Sequence, residues 1–134
     1  MARPIHIELF YGEDRGPSLA RLCWSSSGRT LKAAEFTPPD YALREDLRHV
    51  RFVKAQVVLV TPEEVINYSL MNPYLARHSP AKMFDLGKSD WLKSFSPLHL
   101  GKCTHYQLLF YDELLDVIAE GVEFGKGPLR SEAS

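Results

Sequence analysis

The chain has 134 residues, 45% hydrophobic and 25% charged, with a formal net charge of −1 and two cysteines. One domain of that length buries roughly two-thirds of its unfolded surface without disulfides or metal, so Cys23 and Cys103 are read as reduced thiols. The near-neutral charge excludes a general pull toward nucleic acid. No apolar run approaches the roughly 18 residues of a spanning helix, and the expectation is a cytoplasmic protein without a membrane partner.

Residues 4–10 alternate, with Ile5, Ile7 and Leu9 set against His6 and Glu8. A period of two predicts a half-buried strand, and the same polar residues interrupt any apolar region of an export signal. Residues 12–17 read as a charged turn and Leu19–Trp24 as a second strand. The SSSG run at 25–28 turns the chain, and Thr30–Phe36 returns as a third strand. Pro38 and Pro39 end this run, and Asp40 can cap a short helix carrying Leu43 and Leu47.

Phe52–Val60 is the strongest strand signal. Its second half is apolar on both faces, which predicts a central strand covered on both sides by the later loop excursion or by a second subunit. Thr61-Pro62-Glu63-Glu64 reads as a capping box opening the main helix, with Val65, Ile66, Ser69 and Leu70 at helical spacing. Asn72-Pro73 stops that helix. Residues 72–101 are then a long ordered excursion, with a helical turn at Asp90–Phe95 after Ser89.

Residues 105–111 form another strand, with Tyr106, Leu108 and Phe110 on one face and His105, Gln107, Leu109 and Tyr111 on the other. The following ELLDVIAEG fits either a helix ended by Gly121 or a hairpin strand with Leu115, Val117 and Ala119 inward. The β-branched and aromatic residues continuing to Phe124 favour the hairpin. Together these elements predict an α+β fold: a mainly antiparallel sheet of five or six strands, one main helix from Pro62, and the long excursion. Residues 1–124 are expected to form that single domain, and the Gly-, Pro- and Ser-containing 125–134 a flexible tail.

The sharpest chemical pattern is His99-x3-Cys103-x-His105, since zinc takes imidazole and thiolate ligands. A fourth ligand would have to come from His78, Asp85 or Asp90, and the spacing matches no standard motif. The plainer reading makes Cys103 a small hydrophobe and the histidines edge residues. Cys103 and His105 could also serve as nucleophile and base, although side chains at i and i+2 on a strand run parallel. No other cofactor is implied.

Asp112, Glu113, Asp116, Glu120 and Glu123 form an acidic stripe, read as a solvated face. Arg44, Arg48, His49, Arg51 and Lys54 are the one basic cluster, and the two can pair within the fold or between subunits. Tyr74, Phe84 and Trp91 fall in the long excursion, where aromatics suit a partner or ligand surface. The aromatic strand, aspartate turn and acidic hydrophobic segment resemble a pattern found in many small bacterial proteins, which assigns no residue a role. The functional expectation is a non-enzymatic interaction or ligand-binding module, with a homodimer or another protein as partner. The alternative is a metal-binding protein or enzyme built on His99, Cys103 and His105.

Overall fold

The computed structural model describes residues 2–5, 10–11, 16–38, 46–67 and 81–129. They form nine strands: β1 (Arg3–Pro4), β2 (Ser18–Trp24), β3 (Leu31–Thr37), β4 (Arg48–Val53), β5 (Val57–Pro62), β6 (Met83–Asp85), β7 (Thr104–Leu109), β8 (Glu113–Ala119) and β9 (Gly121–Lys126). Two antiparallel sheets result, a five-stranded one in the order β1-β6-β7-β8-β5 and a four-stranded one in the order β2-β3-β4-β9. The helix α1 (Asp90–Lys93) is four residues long, and two 3₁₀ turns cover Glu63–Val65 and Pro97–His99.

This overturns the α+β expectation, and the main helix is the element that fails. Thr61 and Pro62 do not cap it; they are the last residues of β5. The Glu63 N–H is already bonded to the Asp112 carbonyl at 2.8 Å, so strand pairing with β8 runs past the threonine. Only the 3₁₀ turn at Glu63–Val65 follows. Long-range pairing outweighs a local capping signal worth about 1 kcal/mol. Residues 68–71 of the expected helix, residues 39–45 with the Asp40 cap, and residues 6–9 of the first strand lie outside the described residues.

The Phe52–Val60 strand is also revised, because it is two strands in two sheets. Lys54 between them takes φ of 52°, a left-handed conformation uncommon for a residue with a side chain. Gln56 N–H bonds to the Ile118 carbonyl at 2.7 Å although Val57 is the residue paired with Ile118. Two residues against one is the pattern of a β-bulge, which bends its strand. On the partner ribbon β8 becomes β9 across Glu120 alone, whose N–H bonds to the Val53 carbonyl. The paired strands β4 with β9 and β5 with β8 therefore turn one corner together, passing from the four-stranded sheet to the five-stranded one. Strands that switch sheets at a bulge are how two sheets close on one core.

That core takes Leu31, Ala34, Phe36, Val50 and Phe52 from one sheet and Met83, Tyr106, Leu108, Phe110, Leu115, Val117 and Ala119 from the other. Phe10 sits between them, its ring 4.6 Å from Phe36 and 5.7 Å from Phe110. The inward set of β7 and β8 is the one alternation predicts, and residues 113–119 are a hairpin strand rather than a helix. β6 was hidden inside the expected excursion, where it pairs with both β1 and β7.

Glu35 on β3 is a buried carboxylate. Arg21 of β2 donates to both its oxygens, at 2.7 and 3.3 Å, and the Leu129 N–H donates to Oε2 at 2.8 Å. Burial alone would raise its pKa, but these donors outweigh it and hold Glu35 below the ordinary 4.5. A depressed folded-state pKa contributes stability that is present above the unfolded value and lost as pH falls through the folded one. Glu35→Gln should therefore be less stable than the parent at pH 7, and the gap should close as pH drops below 4.5 in urea titrations.

Candidate functional site

Alternation gives the five-stranded sheet a second face, turned away from the shared core. His105 and Gln107 of β7 and Asp116 of β8 point to it, and all three are buried. They lie between two apolar clusters. One contains Phe84, Leu109 and Leu114, and the other Leu92, Leu100, Cys103 and Ile118. The α1 segment lies over this row because Ser89, its N-cap, accepts the Leu92 N–H at 3.2 Å.

The polar groups form a continuous chain. Ser89 Oγ lies 2.7 Å from His105 Nδ1, His105 Nε2 lies 2.6 Å from Asp116 Oδ1, and Gln107 Nε2 donates to the same oxygen at 3.0 Å. Trp91 packs against the His105 ring at a tilt of 57°, with centroids 4.8 Å apart. The connectivity is that of a nucleophile, a base and an orienting carboxylate. His105 is 5% exposed and Asp116 3%, while Ser89 at the outer end of the chain is half-buried. Neither Ser89 nor His105 lines either of the two clefts described below. The chain of bonds satisfies buried polar groups and ties α1 to the sheet.

The residues of the expected metal cluster part company. His99 ends an exposed 3₁₀ turn. Cys103 is fully buried among Leu92, Leu100 and Ile118, and burial, then the Glu120 carboxylate, push its thiol above the ordinary range against the pull of Lys88. A thiol held protonated is a poor ligand and a poor nucleophile. His105 has both nitrogens engaged. Of the suggested fourth ligands, Asp85 binds Arg3 at 2.6 Å and the Gly87 N–H, Asp90 opens α1, and His78 lies outside the described residues. Among the described residues no group of three His, Cys, Asp or Glu could hold a metal.

Of the expected partner surface, Tyr74 lies outside the described residues and Phe84 is fully buried. Trp91 is half-buried against His105 and Phe95. The acidic stripe is not one solvated face either. Asp116 is buried, while Glu123 is exposed and pairs with Arg51 across β4 and β9 at 2.6 Å, so this contact of the basic and acidic groups lies within the fold. Among the described residues no helix is long and apolar enough to cross a membrane.

Two clefts are lined by described residues alone. One of about 560 Å³ opens between Arg3, Pro4, Asp85, Tyr106, Val122 and Phe124 at the seam of the sheets. A smaller one of about 280 Å³ lies between Leu92, Phe95, Pro97 and Leu100. Lys88 closes the loop beside it, donating to the carbonyls of Leu100, Gly101 and Cys103.

The least expected surface is β5. Among the described residues it is an edge strand with β8 as its one neighbour, not the covered central strand that its sequence suggested. Leu59 and Val60 are each 43% exposed, and Val65 just beyond is 65% exposed. The chain matches no family model, no curated protein and no solved structure.

If the buried polar chain is structural, its members should differ in a set order. Ser89→Ala removes a helix cap and should lower stability by about 1 kcal/mol. His105→Ala strands a buried carboxylate and should cost about 3 kcal/mol. Urea denaturation checks both, and equal small losses would contradict the assignment.

Proposed function

We propose that this protein is a small non-enzymatic interaction module that binds another polypeptide by strand addition to β5. The reading is supported most by the contrast between β5 and the other sheet edges. An edge strand presents unpaired N–H and C=O groups, and proteins blunt such edges with charges, prolines, bulges or shortness. The opposite edge of the same sheet, β1, is two residues long and contains Pro4. In the four-stranded sheet, β2 carries Arg21 and two register irregularities. The last edge, β9, carries Glu123, Lys126 and two glycines.

β5 is entered at the Gln56 bulge and ends on Pro62, but the five residues Val57–Thr61 between them have none of these devices. This run is uncharged, β-branched at every residue but Leu59 and long enough for a ladder, and Leu59 and Val60 within it are exposed. Main-chain bonds would supply the affinity of an added strand, and the exposed side chains its preference for an apolar one.

The test uses a labelled peptide of the Ala55–Pro62 sequence flanked by lysines, titrated with dilute protein and read by fluorescence anisotropy. The parent should bind it. Val60→Pro, which removes an outward N–H at an edge position where proline is tolerated, should lose binding by at least about tenfold while keeping its thermal unfolding midpoint within a few degrees. Absence of binding by the parent, or equal binding by Val60→Pro, would overturn the reading.

A further inference from the structure

We infer that the strand added to β5 is β5 of a second copy, with Leu59 on the two-fold axis; this rests on the strand-addition reading above. The pairing of β5 with β8 fixes which groups are available. Glu63 N–H bonds to Asp112 across the ladder, and in an antiparallel pair the bonded positions recur at every second residue. Thr61, Leu59 and Val57 therefore turn their main-chain groups inward to Leu114, Asp116 and Ile118, their partners in the register. Val58 and Val60 turn theirs outward.

An antiparallel copy that sets Val58 against Val60 of the other uses every one of those outward groups. Two reciprocal pairs give four hydrogen bonds, and the groups of neither valine are left over. Any shift of register brings Pro62, which has no N–H, or the bulged Gln56 into the ladder instead. In the favoured register Leu59 faces its own counterpart across the axis as a non-bonded pair, the closer of the two kinds.

Charge agrees with this choice. A two-fold axis places identical residues near one another, and like charges directly opposite are unfavourable. Ala55–Pro62 carries no charge at all. Its ends are opposite in sign: Lys54 precedes it and Glu63 and Glu64 follow. Antiparallel pairing brings the exposed Lys54 of each copy to the acidic end of the other, twice per dimer. A parallel copy would instead bring each end against its like.

Three measurements test the inference. Sedimentation equilibrium should show a monomer–dimer balance that Lys54→Glu weakens by about fivefold, and that Lys54→Glu with Glu63→Lys and Glu64→Lys restores. Leu59→Cys should form an intermolecular disulfide under mild oxidant, because a non-bonded pair places its Cα atoms about 4.5 Å apart, within disulfide reach. Val60→Cys, two residues out of register with itself, should not exceed the parent. A parent that stays monomeric at high concentration, with no Leu59→Cys cross-link, overturns the second copy. If the peptide still binds, strand addition stands with a different partner; if it does not, both readings fall together.

Discussion

The whole molecule depends on one paired ribbon being forced around a corner. β4 with β9 and β5 with β8 are a continuous antiparallel pair, and the pair cannot continue straight through Lys54 and Glu120. A bulge at Gln56 and a left-handed Lys54 increase the local twist, so the same two stretches of chain build parts of both sheets. Because the sheets share this ribbon, their inner faces are obliged to meet. The phenylalanines at 10, 36 and 110 then pack in the space between. Backbone hydrogen bonds set the corner, and burial fills the angle that they enclose.

How far the sequence could be read follows from whether an element's determinants are local. The alternation of β7 and the turn after Phe110 were legible because side-chain period and turn chemistry lie within a few residues. The SSSG turn and the Ser89 cap were legible for the same reason, and Gly28 takes the positive φ that such a turn needs. The helix from Pro62 failed because the decisive bond, Glu63 to Asp112, joins residues far apart in the chain. Phe52–Val60 failed in another way. An uninterrupted apolar run is what a strand buried on both faces looks like, and an unprotected edge looks the same.

The site chemistry was legible only in part. His105 was read as a metal ligand or a base beside Cys103, whereas it is buried between Ser89 and Asp116. Asp116 was counted among solvated acids, although a hairpin turning at Tyr111 and Asp112 must set it opposite Gln107, two pairs along from His105 and on the same face. Hairpin register thus carried a signal that composition and spacing did not. Cys103 and His99 drew attention by residue type alone. Their surroundings, an apolar cluster and an exposed turn, depend on how 81–101 crosses the sheet, which no local pattern specifies.

The brevity of β1 bears on how large any assembly can grow. A sheet extended at both edges can propagate without limit, which is the geometry of fibrils. Here one edge of the five-stranded sheet ends in two residues, Arg3 and Pro4, with the arginine engaged by Asp85. Such an edge offers almost no template. Addition to β5 as proposed would consume the longer and uncharged of the two edge strands described for this sheet. An apolar, uncharged strand at one edge is thus set against a short, proline-containing strand at the other.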